Sequence, residues 1–222
     1  NDTLDDKRIK DFFNKAKHRG PENSKILKIS DNLIYGFHRL AINGLNEVSN
    51  QPLVFKDCIL ICNGEIYNYK TLYSYIDTLP TTNSDCEVII HMYKKYGMDY
   101  TLNNLDGVFS FILYDQLLNT IYIARDPYGV RPLFILQQKN QDNSNLERDN
   151  ILAFASELKQ LIDIQLLLSH PLFNTVNITQ FKPGHYMTLN YLNDWYIKDV
   201  TRYSTPGFLI MKQVPYNDIL AM

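Results

Sequence analysis

The chain has 222 residues, 45% hydrophobic and 21% charged, the balance of an ordinary globular protein rather than a disordered or fibrous one. Its formal net charge is −2 with both signs scattered along the chain, so there is no basic stripe for nucleic acid and no polybasic membrane patch. No apolar run approaches the roughly 20 residues of a membrane helix, and the stretch from Asn1 to Lys17 mixes acids and bases, unlike a signal peptide. A domain of this size buries roughly 70% of the surface its unfolded chain exposes, enough to hold a core without metal or disulfide. Cys58 and Cys62 lie in one β-branched run. Four residues of strand separate them by about 13 Å, too far to bridge or to share a metal. The reading is a reduced, cytoplasmic protein with no metal site.

In chain order, Asp5 to Lys17 is amphipathic, with Ile9, Phe12, Phe13 and Ala16 at helical spacing, and His18-Arg19-Gly20-Pro21 stops the helix. Lys25 to Ile29 and Leu33 to Ile42 read as strands joined at Ser30-Asp31-Asn32. Asp57 to Cys62 reads as a buried strand that Asn63-Gly64 ends. Tyr69 to Leu79 and Asp85 to Tyr96 read as helices. Ser84 and Glu87 are spaced as a capping box for the second, and Gly97 stops it. Val108 to Tyr114, Thr120 to Ala124, Leu133 to Leu136, Ile151 to Phe154 and His185 to Leu189 are further strands, and Ser156 to Ile162 is a short helix. Asp126-Pro127-Tyr128-Gly129 is turn chemistry, and Gln137 to Asn150 is a polar surface loop. From Tyr196 onward no period is clear. Consecutive strands with tight turns and segregated helices predict an α+β domain of antiparallel sheets.

The motif search excludes several chemistries. There is no phosphate loop, no dinucleotide turn, no HExxH zinc pair and no GxSxG nucleophile elbow. The five histidines fall in different elements. A site for a free amino acid needs a guanidinium for its carboxylate and acids for its ammonium. Arg39, among Phe37, Leu40 and Ile42, has the planar fork for the first task; a surface ion pair is the alternative. Asp85 opens a helix, where an acid also favours the dipole. Asn63-Gly64 has the composition of a tight turn, where Asn and Gly tolerate positive φ.

Eight segments settle on one family. His18-Arg19-Gly20-Pro21, His38-Arg39-Leu40-Ala41-Ile42, Cys62-Asn63-Gly64-Glu65-Ile66-Tyr67-Asn68 and Ser84-Asp85-Cys86-Glu87 are joined by Leu105-Asp106-Gly107-Val108-Phe109, Ala124-Arg125-Asp126-Pro127-Tyr128-Gly129-Val130-Arg131-Pro132-Leu133, Phe154-Ala155-Ser156-Glu157-Leu158-Lys159 and Phe181-Lys182-Pro183-Gly184-His185. Their order resembles the class II glutamine amidotransferase domain of glutamine-hydrolysing asparagine synthetases, from about Lys7 to Trp195.

The resemblance implies an N-terminal nucleophile hydrolase fold, a four-layer αββα sandwich of two antiparallel sheets flanked by helices. It implies a glutaminase domain over residues 1–195 and a linker over 196–222 toward an ATP-dependent synthetase domain, which would carry ATP and Mg²⁺; this domain itself takes no cofactor. The implied reaction is hydrolysis of L-glutamine to glutamate and ammonia for amidation of aspartate. Asn63 and Gly64 are the implied oxyanion hole, and Arg39, Leu40, Ala41, Ile42, Asn43, Asn63, Gly64, Glu65 and Asp85 the implied glutamine site. The alternatives are another class II amidotransferase, of the amidophosphoribosyltransferase kind, or a catalytically dead glutamine-binding or scaffold module. Neither nucleic acid nor membrane is an implied partner, and a homodimer is left open. The family's nucleophile is a cysteine whose own α-amine acts as base. The sequence begins with Asn1, so the chain as it stands is expected not to hydrolyse glutamine.

Overall fold

The computed structural model describes residues 5–139, 150–169 and 175–205. Its elements are α1 (Asp6–Asn14), β1 (Asn23–Ser30), β2 (Leu33–Arg39), β3 (Leu53–Phe55), β4 (Cys58–Ile66), α2 (Tyr69–Ile76), α3 (Val88–Tyr96) and α4 (Met98–Asn104). They continue with β5 (Gly107–Asp115), β6 (Thr120–Arg125), β7 (Phe134–Lys139), β8 (Asn150–Ala155), α5 (Lys159–Leu168), β9 (Thr175–Gln180), β10 (His185–Tyr191) and β11 (Trp195–Arg202).

Alternation along the strands builds four layers. The main sheet has the order β11-β10-β6-β5-β4-β3, with every pairing antiparallel. On one face Cys58, Leu60, Cys62, Phe109, Phe111 and Leu113 pack against Leu72, Ile76, Val88, Ile89 and Met92 of the helices. The residues between them point the other way, so Ile112, Ile121, Ile123, Met187 and Leu189 meet Leu33, Ile135, Phe154 and Phe181. Those partners belong to a second layer, made of a two-stranded sheet (β1-β2) and a three-stranded sheet (β8-β7-β9). Beyond it Leu136, Val176 and Ile178 cover Leu161, Ile164 and Leu168 of α5. Lys15 and Gln160 tie α1 to α5 through Asp163 and the Phe13 carbonyl. The expected α+β sandwich of antiparallel sheets is borne out, with its second sheet in two pieces.

Several elements depart from the sequence reading. Strand β4 does not stop at Asn63-Gly64 but runs through both to Ile66. Strand β2 ends at Arg39, not Ile42. Helix α1 ends at Asn14, and a 3-10 turn takes up Lys17–Arg19. Helix α2 stops at Ile76, where Asp77 takes a left-handed conformation at φ 50°. Ser84 and Glu87 form no capping box: residues 85–87 make a 3-10 turn and Ser84 makes no capping bond. Helix α5 starts at Lys159, three residues later than expected. The polar loop is strand up to Lys139 and again from Asn150, and 140–149 lie outside the described residues. Strands β3, β9 and β11 and helix α4 were not expected. β11 adds 195–202 to the main sheet, so most of the described part of the expected linker is an edge strand.

The turn after β6 is a structural hub. Asp126 is fully buried. Its carboxylate accepts from the backbone N–H of Phe109 (3.3 Å), Tyr128 (3.0 Å), Val130 (3.0 Å) and Arg131 (3.1 Å). Arg125 donates to the carbonyls of Arg131 (2.8 Å), Phe181 (2.6 Å) and Gly129 (2.7 Å). Burial lowers the Arg125 guanidinium from its ordinary pKa and the Asp126 charge opposes that. Each charge satisfies backbone groups that would otherwise be orphaned. Asp126→Ala removes the acceptor of four backbone N–H groups, that of Phe109 buried and the others partly buried. We expect it to lower stability by about 3–5 kcal/mol, read as an earlier urea midpoint at unchanged slope.

Candidate active site

A cavity of about 570 Å³ opens between the main sheet and the second layer. Its polar lining includes Arg39, Asn63, Gly64, Glu65, Asp85 and Arg131. Leu40, Ile42 and Asn43 also line it. Of the residues expected at one site, Ala41 alone lies elsewhere: it borders a smaller neighbouring pocket with Glu22, and Glu22 accepts its N–H.

Strand β4 sets out the donors. Phe109 spends its N–H and C=O on Asp126, on the β6 side of β5. The Gly64–Phe109 pair therefore exchanges no ladder bonds. The N–H groups of Cys62 and Ile66 point to the opposite edge of β4, and so does that of Gly64 between them. Strand β3 covers that edge only from Cys58 to Leu60. Past it the Gln51 side chain takes a strand's place, accepting from Cys62 N–H (2.6 Å) and donating to Cys62 C=O (2.9 Å). Asp85 Oδ2 accepts from Ile66 N–H (2.7 Å). The Gly64 N–H falls between these two caps and has no partner among the described residues. The Asn63 side chain projects from the face that borders the second layer, and its Nδ2 is buried without a hydrogen-bond partner among the described residues. A buried orphan donor is costly by about 1–3 kcal/mol and marks a place where an acceptor is wanted.

Gly64 is demanded by packing, not by a turn. Its φ is negative, and a Cβ there would overlap the Val108 carbonyl and stand 2.6 Å from Phe109 Cα.

The acids and guanidiniums are held differently. Asp85 is buried at 5% exposure, and its Oδ1 has no hydrogen-bond partner among the described residues. Glu65 pairs with Arg131, Oε1 to Nη2 at 3.2 Å, and Arg131 Nε is buried without a partner among the described residues. The hub of the Asp126 turn fixes Arg131 from both its N–H and its C=O. Arg39 forms no ion pair among the described residues. Its guanidinium donates to Asn46 C=O (3.2 Å), Asn50 Oδ1 (2.6 Å), Asn43 C=O (3.1 Å) and Gly44 C=O, gathering the 43–50 loop around itself. Arg131 and Gln51 were missed as site residues. The turn motif before Arg131 was a usable signal; nothing local marked Gln51.

Cys62 and Cys86 border the cavity, and Cys58 lies deeper; all three are free. Contact with Cys62 and then burial push the Cys86 thiol well above its ordinary range. Burial pushes Cys58 up to about 12. Protonated thiols are poor nucleophiles. The acids Asp57 and Asp115 beside Cys58 are taken by Lys94. No helix among the described residues is long and apolar enough to cross a membrane.

Comparison with known proteins shows the family and the fold. Residues 1–195 match the model of the glutamine amidotransferase domain. Asparagine synthetase [glutamine-hydrolyzing] from Bos taurus is 36% identical over 182 residues, covering 79% of this chain and 30% of its own length. The enzyme of the same name from Mesocricetus auratus is 37% identical over 181 residues, with the same coverage. The chain thus spans about a third of the length of these relatives. Among solved structures, glutamine phosphoribosylpyrophosphate amidotransferase from B. subtilis superposes with a TM-score of 0.55 at 23% identity, over 76% of this chain and 34% of that one. An allosteric regulatory enzyme of purine biosynthesis gives 0.57 at 23% identity, again over 76% and 34%. At that identity the likeness speaks for the fold.

Gly64→Ala is expected to cost at least about 1–3 kcal/mol, since backbone of β5 has to move to admit the methyl group. Ser110→Ala, at the strand neighbour of Asn63, serves as the mild control; thermal melts followed by circular dichroism compare the two.

Proposed function

The chain belongs to the glutamine amidotransferase domain family, and from that premise we propose that its cavity is a glutamine site serving an asparagine synthetase. The observation that carries the reading is the pair of unspent donors, Asn63 Nδ2 and the Gly64 N–H, side by side in the polar lining of the cavity. Such donors stabilise the oxygen of a tetrahedral intermediate, where negative charge develops as an amide is attacked. Asp85 and Glu65 are acceptors for the substrate ammonium. The carboxylate falls to Arg39. A carboxylate is a stronger acceptor than the neutral carbonyls that Arg39 now holds, so it exchanges with part of that set while the 43–50 loop stays beside it.

Bond breaking in this family needs a cysteine with a free α-amine. Cys58, Cys62 and Cys86 lie within the chain and have none. The proposed division is that the groups lining this cavity bind and polarise glutamine and that the family's terminal cysteine attacks the amide. The ammonia released goes to an acceptor activated by an ATP-dependent synthetase domain, with aspartate as that acceptor; ATP and Mg²⁺ belong there. The buried free thiols suit a reducing compartment, the cytoplasm.

Titration calorimetry with L-glutamine tests binding on this chain, and ammonia release tests turnover on the native protein. Binding of L-glutamine and release of ammonia support the reading. Binding without release points to a glutamine-binding module, and absence of both overturns the assignment. In a turning-over protein, Asn63→Ala is expected to lower kcat about 10²–10³-fold with little change in KM. Arg39→Ala is expected to act mainly on KM.

A further inference from the structure

We propose that Glu87 positions the glutamine site from behind, by fixing residues 81–84 as the seat on which the 43–50 loop rests. The proposal depends on reading the cavity as that site. Glu87 is not itself among the residues that line the cavity and is 1% exposed. Every bond it makes reaches back to the segment before it or to the next turn of helix. Its Oε1 accepts from Thr81 N–H (3.0 Å), the Thr81 hydroxyl and His91 Nε2 (3.2 Å). Its Oε2 accepts from Thr82 N–H (2.7 Å) and the Thr82 hydroxyl (2.6 Å). One carboxylate thus dictates the path of two consecutive residues.

The path continues to the cavity. The Thr82 hydroxyl accepts from Ser84 N–H (3.1 Å), the residue before Asp85. Asn83 N–H donates to Ser49 Oγ (3.0 Å), and Ser49 in turn donates to Asn46 Oδ1 (2.6 Å). Gly44 lies so close that a Cβ on it would stand 2.8 Å from the Asn83 backbone, and its φ of 63° suits glycine. Asn43, Gly44, Asn46 and Asn50 are the groups that Arg39 grips. Segment 81–84 therefore braces Asp85 on one side and the Arg39 loop on the other.

Burial works to raise the Glu87 pKa, but bonds from His91, Thr81 and Thr82 outweigh it and hold the group at about 2. Its ordinary value is 4.5. Because the folded value is the lower one, its contribution to stability is complete above the ordinary value and fades as pH falls toward about 2. The brace is charged at every pH at which the site would work.

The test compares Glu87→Gln with the wild-type chain by amide hydrogen exchange and glutamine titration. An amide side chain keeps the size but cannot accept with both atoms. Exchange is expected to rise in 43–50 as well as at Thr81 and Thr82, with β5 and β6 still protected, and glutamine binding to weaken about three- to thirtyfold. Glu87→Asp, which keeps both acceptors, should recover part of the affinity. Faster exchange confined to 81–82, or a lower melting temperature with unchanged exchange in 43–50, overturns the proposal. If Glu87→Gln fails to fold, Thr82→Val decides: it cuts the same link at its far end and must loosen 43–50 too. If the wild type binds no glutamine, the glutamine reading falls, and exchange in 43–50 still decides whether Glu87 positions that loop.

Discussion

The site depends on where one strand pairing stops. β4 is matched to β5 along its whole length, but β3 covers its other edge for only three residues. Had β3 run four residues further, a carbonyl of that strand would take the Gly64 N–H and the donor would be lost. The chain avoids this with two side chains. Gln51 ends the pairing at Cys62, and Asp85 takes over at Ile66. Both are acceptors aimed at backbone N–H, so the edge is satisfied on either side of one gap. An open donor inside a protein is normally a defect. Here the flanking caps make it stable without filling it.

Two buried carboxylates frame that gap from opposite directions. Asp126 organises the turn that brings Arg131 to Glu65, and Glu87 organises the segment that leads into Asp85. Both spend their charge on backbone N–H groups of an irregular segment. A loop held in this way has few alternative conformations, because moving it exposes a buried anion. The side chains that line the cavity therefore sit next to rigid backbone while making few bonds themselves. Arg39 is the exception: it is both lining and scaffold, since the carbonyls it holds are those of the loop beside it.

The layers were legible because strand alternation and helical spacing are strong over 107–125 and 85–96, and the family motifs pointed to the cavity's polar lining. The errors have physical causes. Asn63-Gly64 carries the composition of a turn, but glycine is there because β5 leaves no space for a Cβ, a tertiary fact that no local window contains. Ser84 and Glu87 have the spacing of a capping box, yet Glu87 turns to Thr81 and Thr82, which satisfy it better than one helical N–H would. β11 went unread because its exposed residues, Lys198, Asp199 and Val200, break the alternation of an edge strand. Gln51 carries no signal at all, since its role exists only once β4 lies alongside it.

The charge pattern argues for the class of ligand. The cavity lining includes the acids Glu65, Asp85 and Asp31 and the guanidiniums Arg39, Arg131 and Arg19, so the two signs balance. A lone anion entering this space gains from the guanidiniums but meets the acids, and a lone cation meets the reverse, so neither is strongly favoured. A zwitterion meets both sets with the matching end. Its carboxylate and ammonium are separated by one carbon, so it needs opposite charges close together, each held in place before it arrives. The neutral remainder of such a molecule then has to be read by hydrogen bonds, and the donors left open on β4 are suited to an amide oxygen. On the proposed reading, net neutrality and unspent donors together suit an amino acid with an amide side chain, where either feature alone would suit much less.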